Sequence, residues 1–468
     1  MIRLFSRYIS PKSLVLLLLE SGLITVALLV AVWIRFWNDS SGMDAYITLP
    51  SFTVQAAVFV LSLLLCFYYC DLYTPAAIRS RYEQVIAVAQ SVGAGCLLLA
   101  VLYFVFPTLL LGRGVFFIGV GLVPLLVPLC RVAVDRAWIA AAPHENVLIL
   151  GTDSLACRVA AELEKRSDLS LRAAGFIDLS TGVQAQTLRG LPVFSFTEGA
   201  LQTIVEQHAI SRIVVALEDR RNALPTRELV RLRVQGIRVE EAHSVMAGLT
   251  GRVWLETVKP SWFVFSDGFR RSAVTLVAKR LLDLSAGMVG LAISAPVMAL
   301  VAIAVRLDSG GPVFYRQTRV GLRGNCFGLL KFRSMRPDAE AAGGAQWAVD
   351  NDPRVTKVGW FLRKYRLDEL PQFINVIRGD MSLVGPRPER PEFVKILRTQ
   401  ISYYDERHSV RPGITGWAQV QYGYGNTVED TIRKLEYDLF YLKNLSLFFD
   451  CAIILDTVRV VLTGRGGK

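Results

Sequence analysis

The chain has 468 residues, 52% of them hydrophobic, and a formal net charge of +12. Its mean hydropathy of +0.39 comes from apolar residues concentrated in the first third and in one later block, which excludes an ordinary soluble protein and points to membrane segments. Lys and Arg flank the apolar segments and form no stripe, which argues against nucleic acid and for anionic lipid or phosphorylated ligands, while seven cysteines without a CxxC pair and four dispersed histidines argue against zinc and a disulfide framework.

Four segments, Leu14–Phe36, Phe52–Tyr69, Val85–Phe106 and Val115–Cys130, are long and apolar enough to span a bilayer. Arg3, Arg7 and Lys12 precede the first, which is too long for a cleaved signal and is followed by no small-residue cleavage site. Residues 38–51 hold no Lys or Arg, Arg79 and Arg81 follow the second segment, and Arg113 alone separates the third from the fourth. Arg131 and Arg136 follow the fourth. This alternation predicts four transmembrane helices over residues 1–137 with both ends in the cytoplasm.

Residues 145–250 read as an α/β Rossmann-like domain. A buried strand at Val147–Leu150 leads through Gly151 into a helix ending near Lys165, with further strands near Ala173–Ile177, Arg212–Leu217 and Ile237–Glu240. Gly151-Thr152-Asp153-Ser154-Leu155-Ala156 keeps the outer positions of a GxGxxA phosphate loop but puts Asp153 where a glycine would admit a pyrophosphate. A carboxylate there repels one, so the domain is expected to be structural or regulatory. Residues 251–273 read as a linker, with Trp254, Pro260, Trp262 and Phe263 suited to a membrane interface.

Residues 274–468 open with the apolar run Leu284–Val305, between Lys279-Arg280 and Arg306. One crossing would place the Arg-rich remainder outside the cell. A re-entrant hairpin over 281–306 avoids this, bent at Pro296, where Ser294 could satisfy a freed carbonyl; the alternative is a fifth full span.

The chemistry concentrates in Arg363-Lys364-Tyr365-Arg366-Leu367-Asp368-Glu369-Leu370-Pro371-Gln372. Pro371 suits a first helical turn, so Asp368 and Glu369 fall at a helix N-terminus, where the dipole stabilises carboxylates and attracts phosphate. Beside cations and a metal, one carboxylate can stay ionised and attack phosphorus while its neighbour holds Mg²⁺. Such a pair alone is more often a solvated cap. Its surroundings add weight: Lys331-Phe332-Arg333-Ser334-Met335 upstream, and downstream Arg378-Gly379-Asp380-Met381-Ser382-Leu383-Val384-Gly385-Pro386-Arg387-Pro388-Glu389, whose two prolines aim Arg387 for phosphate. The run Pro412-Gly413-Ile414-Thr415-Gly416-Trp417-Ala418-Gln419-Val420 reads as a tight turn into a short strand, which a core turn explains equally well.

With Pro312-Val313-Phe314-Tyr315-Arg316-Gln317, these runs make residues 275–468 resemble the bacterial sugar transferase domain of polyprenyl-phosphate phosphoglycosyl transferases. Four spans plus a Rossmann-like domain resemble the large, exopolysaccharide-initiating members. The resemblance implies transfer of a hexose-1-phosphate from a UDP-sugar to undecaprenyl phosphate at the cytoplasmic side of a bacterial inner membrane. It implies a mainly α catalytic domain in contact with lipid. It makes Asp368 the nucleophile that carries the phosphosugar and releases UMP, and Glu369, with Asp368, the Mg²⁺ site. Lys331, Arg333, Arg363, Arg387 and Asp450 become substrate-binding residues. A homodimer through the spans or the middle domain fits the same picture. The family bend reads Ser-Pro, whereas this chain has Ser294-Ala295-Pro296.

Other readings compete. Asp350-Asn351-Asp352 spells the DxD of a metal-dependent glycosyltransferase that releases UDP, although Pro353-Arg354 favours a loop. A nucleotide-sugar dehydratase would need an intact Gly-rich loop and a YxxxK pair, and residues 139–253 contain no tyrosine. The Rossmann-like domain could also serve as a regulator or assembly platform.

Overall fold

The computed structural model describes residues 2–4, 7–9, 11–70, 72–73, 81–141, 145–179, 187–197, 199–217, 224–256, 258, 260–265, 268–269, 272–336, 339, 352–423, 425 and 427–462. Beyond the first few residues, the chain forms two compact units that part between Ala242 and His243.

The first unit begins with helices α1 (Pro11–Arg35), α2 (Pro50–Tyr69), α3 (Arg81–Val105) and α4 (Arg113–Ala141). Among the described residues, these and one later helix are long and apolar enough to cross a membrane. Ile24, Leu28, Phe59, Leu63, Val88 and Val127 interlock between them, while Leu18, Leu97 and Phe104 face outward, as lipid-facing residues do. The bundle also buries a charge pair. Arg131 Nε donates to Glu20 Oε1 at 2.6 Å and Nη1 to Leu72 O at 2.9 Å, and Tyr73 Oη donates to Glu20 Oε2. A lone charge would be prohibitive in this setting, and the pairing also fixes which helices meet.

The middle domain is a six-stranded sheet made from β1 (Glu145–Leu150), β2 (Leu171–Asp178), β3 (Thr187–Leu188), β4 (Leu191–Ser195), β5 (Ile210–Val215) and β6 (Arg238–Glu241). The order is β3-β4-β2-β1-β5-β6, parallel except for the antiparallel edge strand β3. Val147 to Leu150 are fully buried, as a doubly covered parallel strand requires. Arg212, 1% exposed, joins the starts of three strands by pairing with Glu145 and Glu240, each at 2.8 Å. Gly151 has φ +120°, and a Cβ there would lie 2.6 Å from Ala216 O, so the turn itself demands this glycine.

In the second unit the stretch expected to be a linker lies within the core. Val253 and Trp262 join the hydrophobic cluster of Leu439 and Phe440. Arg252 pairs with Glu436 at 2.7 Å, and Trp417 Nε1 donates to Gly251 O at 2.8 Å. Trp262 lies against the Lys443 ammonium at 4.1 Å and Trp254 against Arg252 at 4.1 Å. Aromatic rings with a polar handle suit a membrane interface, but they suit a core lined with cations equally well.

The apolar run forms helix α5 (Ala273–Ser309), 37 residues without a break, with Pro296 inside. The expected hairpin is therefore not two helices joined by a non-helical turn. Ser294 Oγ donates to Leu291 O at 3.3 Å, and not to Ala292 O, the carbonyl that Pro296 leaves without its helical donor. Lys279, Asp283, Gly287, Ser294, Val301 and Val305 are buried at helical spacing, and Ile293 and Leu300 are exposed. Both ends are held by the unit. Lys279 reaches Val384 O at 3.0 Å, and at the other end Val301 and Val305 pack with Phe332 and Leu362.

A hairpin of β7 (Phe314–Val320) and β8 (Cys326–Phe332) follows, then α6 (Lys357–Lys364), a 3₁₀ turn at Leu367–Glu369 and α7 (Gln372–Arg378). Strands β9 (Ser382–Val384) and β10 (Gly413–Thr415) pair in parallel. Helices α8 (Pro391–Gln400), α9 (Val428–Lys443) and α10 (Leu447–Leu462) complete a mainly helical domain.

Candidate active site

Asp368 and Glu369 sit on the 3₁₀ turn, one step before the helix expected to carry them, because α7 begins only at Gln372. Arg366, just ahead, takes a left-handed conformation with φ 55°, which reverses the chain out of α6. Nothing in the sequence signals this left-handed residue. Both carboxylates are buried, at 7% and 8% exposure.

Cations from separate segments converge on them. Glu369 Oε1 accepts from Lys331 Nζ at 3.1 Å and Arg387 Nη2 at 2.8 Å, and Arg366 Nη1 lies 3.9 Å from Oε2. Lys331 Nζ is also 3.9 Å from Asp368 Oδ2. These contacts bring four of the expected site residues together: Asp368, Glu369, Lys331 and Arg387. Arg363 donates to Ser334 Oγ at 3.0 Å and adds its positive field at Asp368. Arg333 holds a buried Nη1 without a hydrogen-bond partner among the described residues.

The two carboxylates are driven apart electrostatically. Burial raises the pKa of Asp368 above the usual carboxylate value, Lys331 opposes the rise, and Glu369 adds to it. Burial would raise Glu369 as well, but Arg387, Lys331 and Arg366 outweigh it and hold its pKa well below the usual range. One neighbour is a firmly ionised anchor, and the other is a desolvated carboxylate that Lys331 approaches at 3.9 Å. Adjacent pairs with divergent pKa values are a mark of acid, base or nucleophile assignments.

Arg387 is held from behind. Gly385, Gly413 and Gly416 meet backbone to backbone, so a Cβ on any of them would overlap its neighbours. Gly385 N donates to Thr415 O at 2.9 Å and Gly413 N to Pro386 O at 3.0 Å. The run Pro412 to Val420 is thus a brace for the arginine, and its Gln419 Oε1 accepts from Arg387 Nη1 at 3.1 Å. Buried Arg407 donates to Arg387 O at 2.9 Å while pairing with Asp438 at 2.9 Å. The letters of these runs were plain in the sequence, but their mutual fit was not.

Two expected residues lie elsewhere. Asp450 is 1% exposed, with Oδ2 accepting from Lys279 Nζ at 2.7 Å and Oδ1 from Tyr441 Oη at 2.8 Å. These bonds tie α10 to the base of α5 and to α9, and neither reaches the dyad. Asp352 is gripped by Arg354, whose Nε and Nη2 donate at 2.8 and 2.6 Å, which leaves it poorly disposed to bind a metal. Asp350 and Asn351 lie outside the described residues. Ser294 and Pro296 lie on α5.

Among the described residues there is no group of three or more His, Cys, Asp or Glu side chains that could hold a metal ion. Magnesium, however, commonly binds through one or two carboxylates, water and substrate phosphate. Lys331 and Arg387 occupy Glu369 Oε1, so the oxygen donors left for that mode are those of Asp368 and Glu369 Oε2, each approached by a cation at 3.9 Å.

The CoA-binding domain family matches residues 69–240. The loop after β1 does not fit a bound pyrophosphate: Asp153 occupies the N-cap position of the following helix, where the phosphates would sit. The bacterial sugar transferase family matches residues 274–464. The chain is 42% identical over 242 residues to the UDP-N-acetylgalactosamine-undecaprenyl-phosphate N-acetylgalactosaminephosphotransferase of Aeromonas hydrophila, covering 52% of this chain and 56% of that protein. It is 46% identical over 189 residues to the UDP-glucose:undecaprenyl-phosphate glucose-1-phosphate transferase of Escherichia coli, covering 40% of each. With the Caulobacter vibrioides protein of that same description the identity is 44% over 195 residues, covering 41% of this chain and 72% of that protein. The match spans about half the length of the first two relatives. The chain belongs to the bacterial sugar transferase family.

Proposed function

We propose that the protein transfers a hexose-1-phosphate from a UDP-sugar to undecaprenyl phosphate, with release of UMP, as the first membrane step of exopolysaccharide synthesis. The observation that carries this reading is the divided dyad: a desolvated Asp368 beside a Glu369 locked by Lys331 and Arg387. The names of the relatives, which include N-acetylgalactosamine and glucose transfer to the same lipid phosphate, support the substrate class.

The chemistry proceeds in two displacements. An Asp368 carboxylate oxygen attacks the β-phosphorus, the bond to the bridging oxygen breaks, and that oxygen leaves with UMP. The phosphosugar is then an acyl phosphate on Asp368. A phosphate oxygen of the lipid attacks the same phosphorus, the aspartyl oxygen departs with its electron pair, and the carboxylate is restored. Lys331, Arg387 and Arg333 bind and orient the diphosphate. Magnesium, held by Asp368 and Glu369, would neutralise phosphate charge.

The apolar helix supports the location. Its buried face runs about 39 Å from Lys279 to Val305, and both ends pack on one compact unit, which supports a helix that does not carry the remainder of the chain across a bilayer. In this reading it enters and leaves on one face of the membrane, with the exposed Ile293 and Leu300 in lipid. The basic loops around the N-terminal helices support a cytoplasmic face at the inner membrane of a bacterium.

The test is the nucleotide released by detergent-purified protein given undecaprenyl phosphate, Mg²⁺ and radiolabelled UDP-glucose or UDP-N-acetylgalactosamine. UMP with label in the lipid is expected. UDP release would transfer the chemistry to a glycosyltransferase mechanism.

A further inference from the structure

The groups that meet at the dyad come from separate segments, and one buried side chain joins three of them. Asn375 on α7 is fully buried. Its Oδ1 accepts from Leu330 N at 3.0 Å, and its Nδ2 donates to Gly328 O at 2.9 Å and to Asp380 Oδ2 at 3.2 Å. Among the described strands β8 pairs with β7 alone, so Gly328 C=O and Leu330 N–H lie on its open edge. The amide thus offers one acceptor and one donor to that edge, as a neighbouring strand would. Its backbone carbonyl also accepts from the N–H groups of Gly379, Asp380 and Met381, which lead into β9 and on to Arg387.

The position matters because of what lies beside it. Lys331 follows Leu330 directly, and Glu369 precedes Asn375 by six residues. A lysine is a point charge on a flexible stem, so its placement depends on where its backbone is held. We propose that Asn375 is a positioning residue that fixes the backbone of Lys331 relative to Asp368 and Glu369. The proposal rests on the phosphosugar-transfer reading, because it assigns Lys331 a place against the donor phosphates.

A buried, fully bonded amide could instead serve the fold alone, and the test separates the two roles. In wild-type protein, hydrogen exchange should show the Leu330 amide strongly protected although it faces away from β7. Rapid exchange of that amide, as at an open strand edge, would overturn the clamp without any variant. Asn375→Ala should then lower kcat/KM per mole of folded protein by about tenfold or more and raise KM for the UDP-sugar, since small misplacements at a reacting centre are severe. In a Lys331→Met background, Asn375→Ala should add less than about twofold, because the two changes remove one interaction. A structural role alone predicts the opposite pattern: unchanged KM, and losses that multiply in the double variant. Absence of turnover in the wild-type protein would overturn the reaction itself, and Leu330 exchange would still decide the clamp.

Discussion

Replacing Asp450 by Asn separates an anchor from a substrate ligand. Lys279 and Asp450 are 8% and 1% exposed and 2.7 Å apart. The change keeps the shape but leaves the buried ammonium with only Val384 O, Tyr441 Oη and an amide oxygen. Breaking a buried pair from one side is worth about 3–5 kcal/mol, which in a unit of this size lowers Tm by roughly 6–20 °C. Lys279→Met removes the stranded charge, so the double variant should recover much of that loss. The assay is thermal unfolding in detergent, read on the wild type, both single variants and the double, alongside KM for the donor. An Asp450→Asn protein of unchanged Tm but raised KM would refute the anchoring argument and return Asp450 to the substrate. So would a double variant no more stable than Asp450→Asn.

Other outcomes follow from the site. Asp368→Asn should abolish turnover while leaving membrane insertion intact, as read by activity and carbonate extraction, and Glu369→Gln should reduce turnover less completely. Arg387→Lys should lose about ten- to hundredfold in kcat/KM, because one ammonium cannot serve Glu369 and Gln419 as the guanidinium fork does. His408 titrates at about 4, lowered first by burial and then by Arg407, so the folded state binds fewer protons than the unfolded state between pH 6.5 and 4. Stability is therefore lost as the pH falls through that window, and His408→Gln should gain on the wild type by about 2 kcal/mol toward pH 4 after allowance for solvent screening, measured by denaturant unfolding. Asp438, raised by burial to about 6, has the opposite slope, so the variant should grow more stable between pH 6 and 4.

The sequence displayed what is local. Apolar runs and the charges between them announce helices, and Asp368-Glu369 with its basic neighbours announces phosphate chemistry within ten residues. What it hid is the partner of each buried group. Asp450 looks alike whether it faces a nucleotide or Lys279, because its partner lies 171 positions away. Trp254 and Trp262 carry the composition of a membrane interface, and only the distant Glu436 and Lys443 reveal a core. Pro296 signals a bend, yet one missing hydrogen bond does not by itself end a helix packed along one face. Gly385, Gly413 and Gly416 read as turn residues until their backbones are seen to touch.

The charges at the base of α5 also have a history in time. The partners of Asp283, Ser382 Oγ and Leu383 N, lie 99 and 100 positions downstream, and those of Lys279 extend to Asp450. At ribosomal rates, roughly 9–34 s separate the synthesis of Lys279 from that of Asp450. Throughout that interval an apolar helix carries two charges without their final partners. Lys279 and Asp283 are four positions apart on one helical face, the spacing at which opposite charges neutralise each other. The nascent helix therefore brings its own temporary counter-ion: Asp283 passes to the Ser382 hydroxyl and the Leu383 N–H, and Lys279 to Asp450 when the last helix arrives.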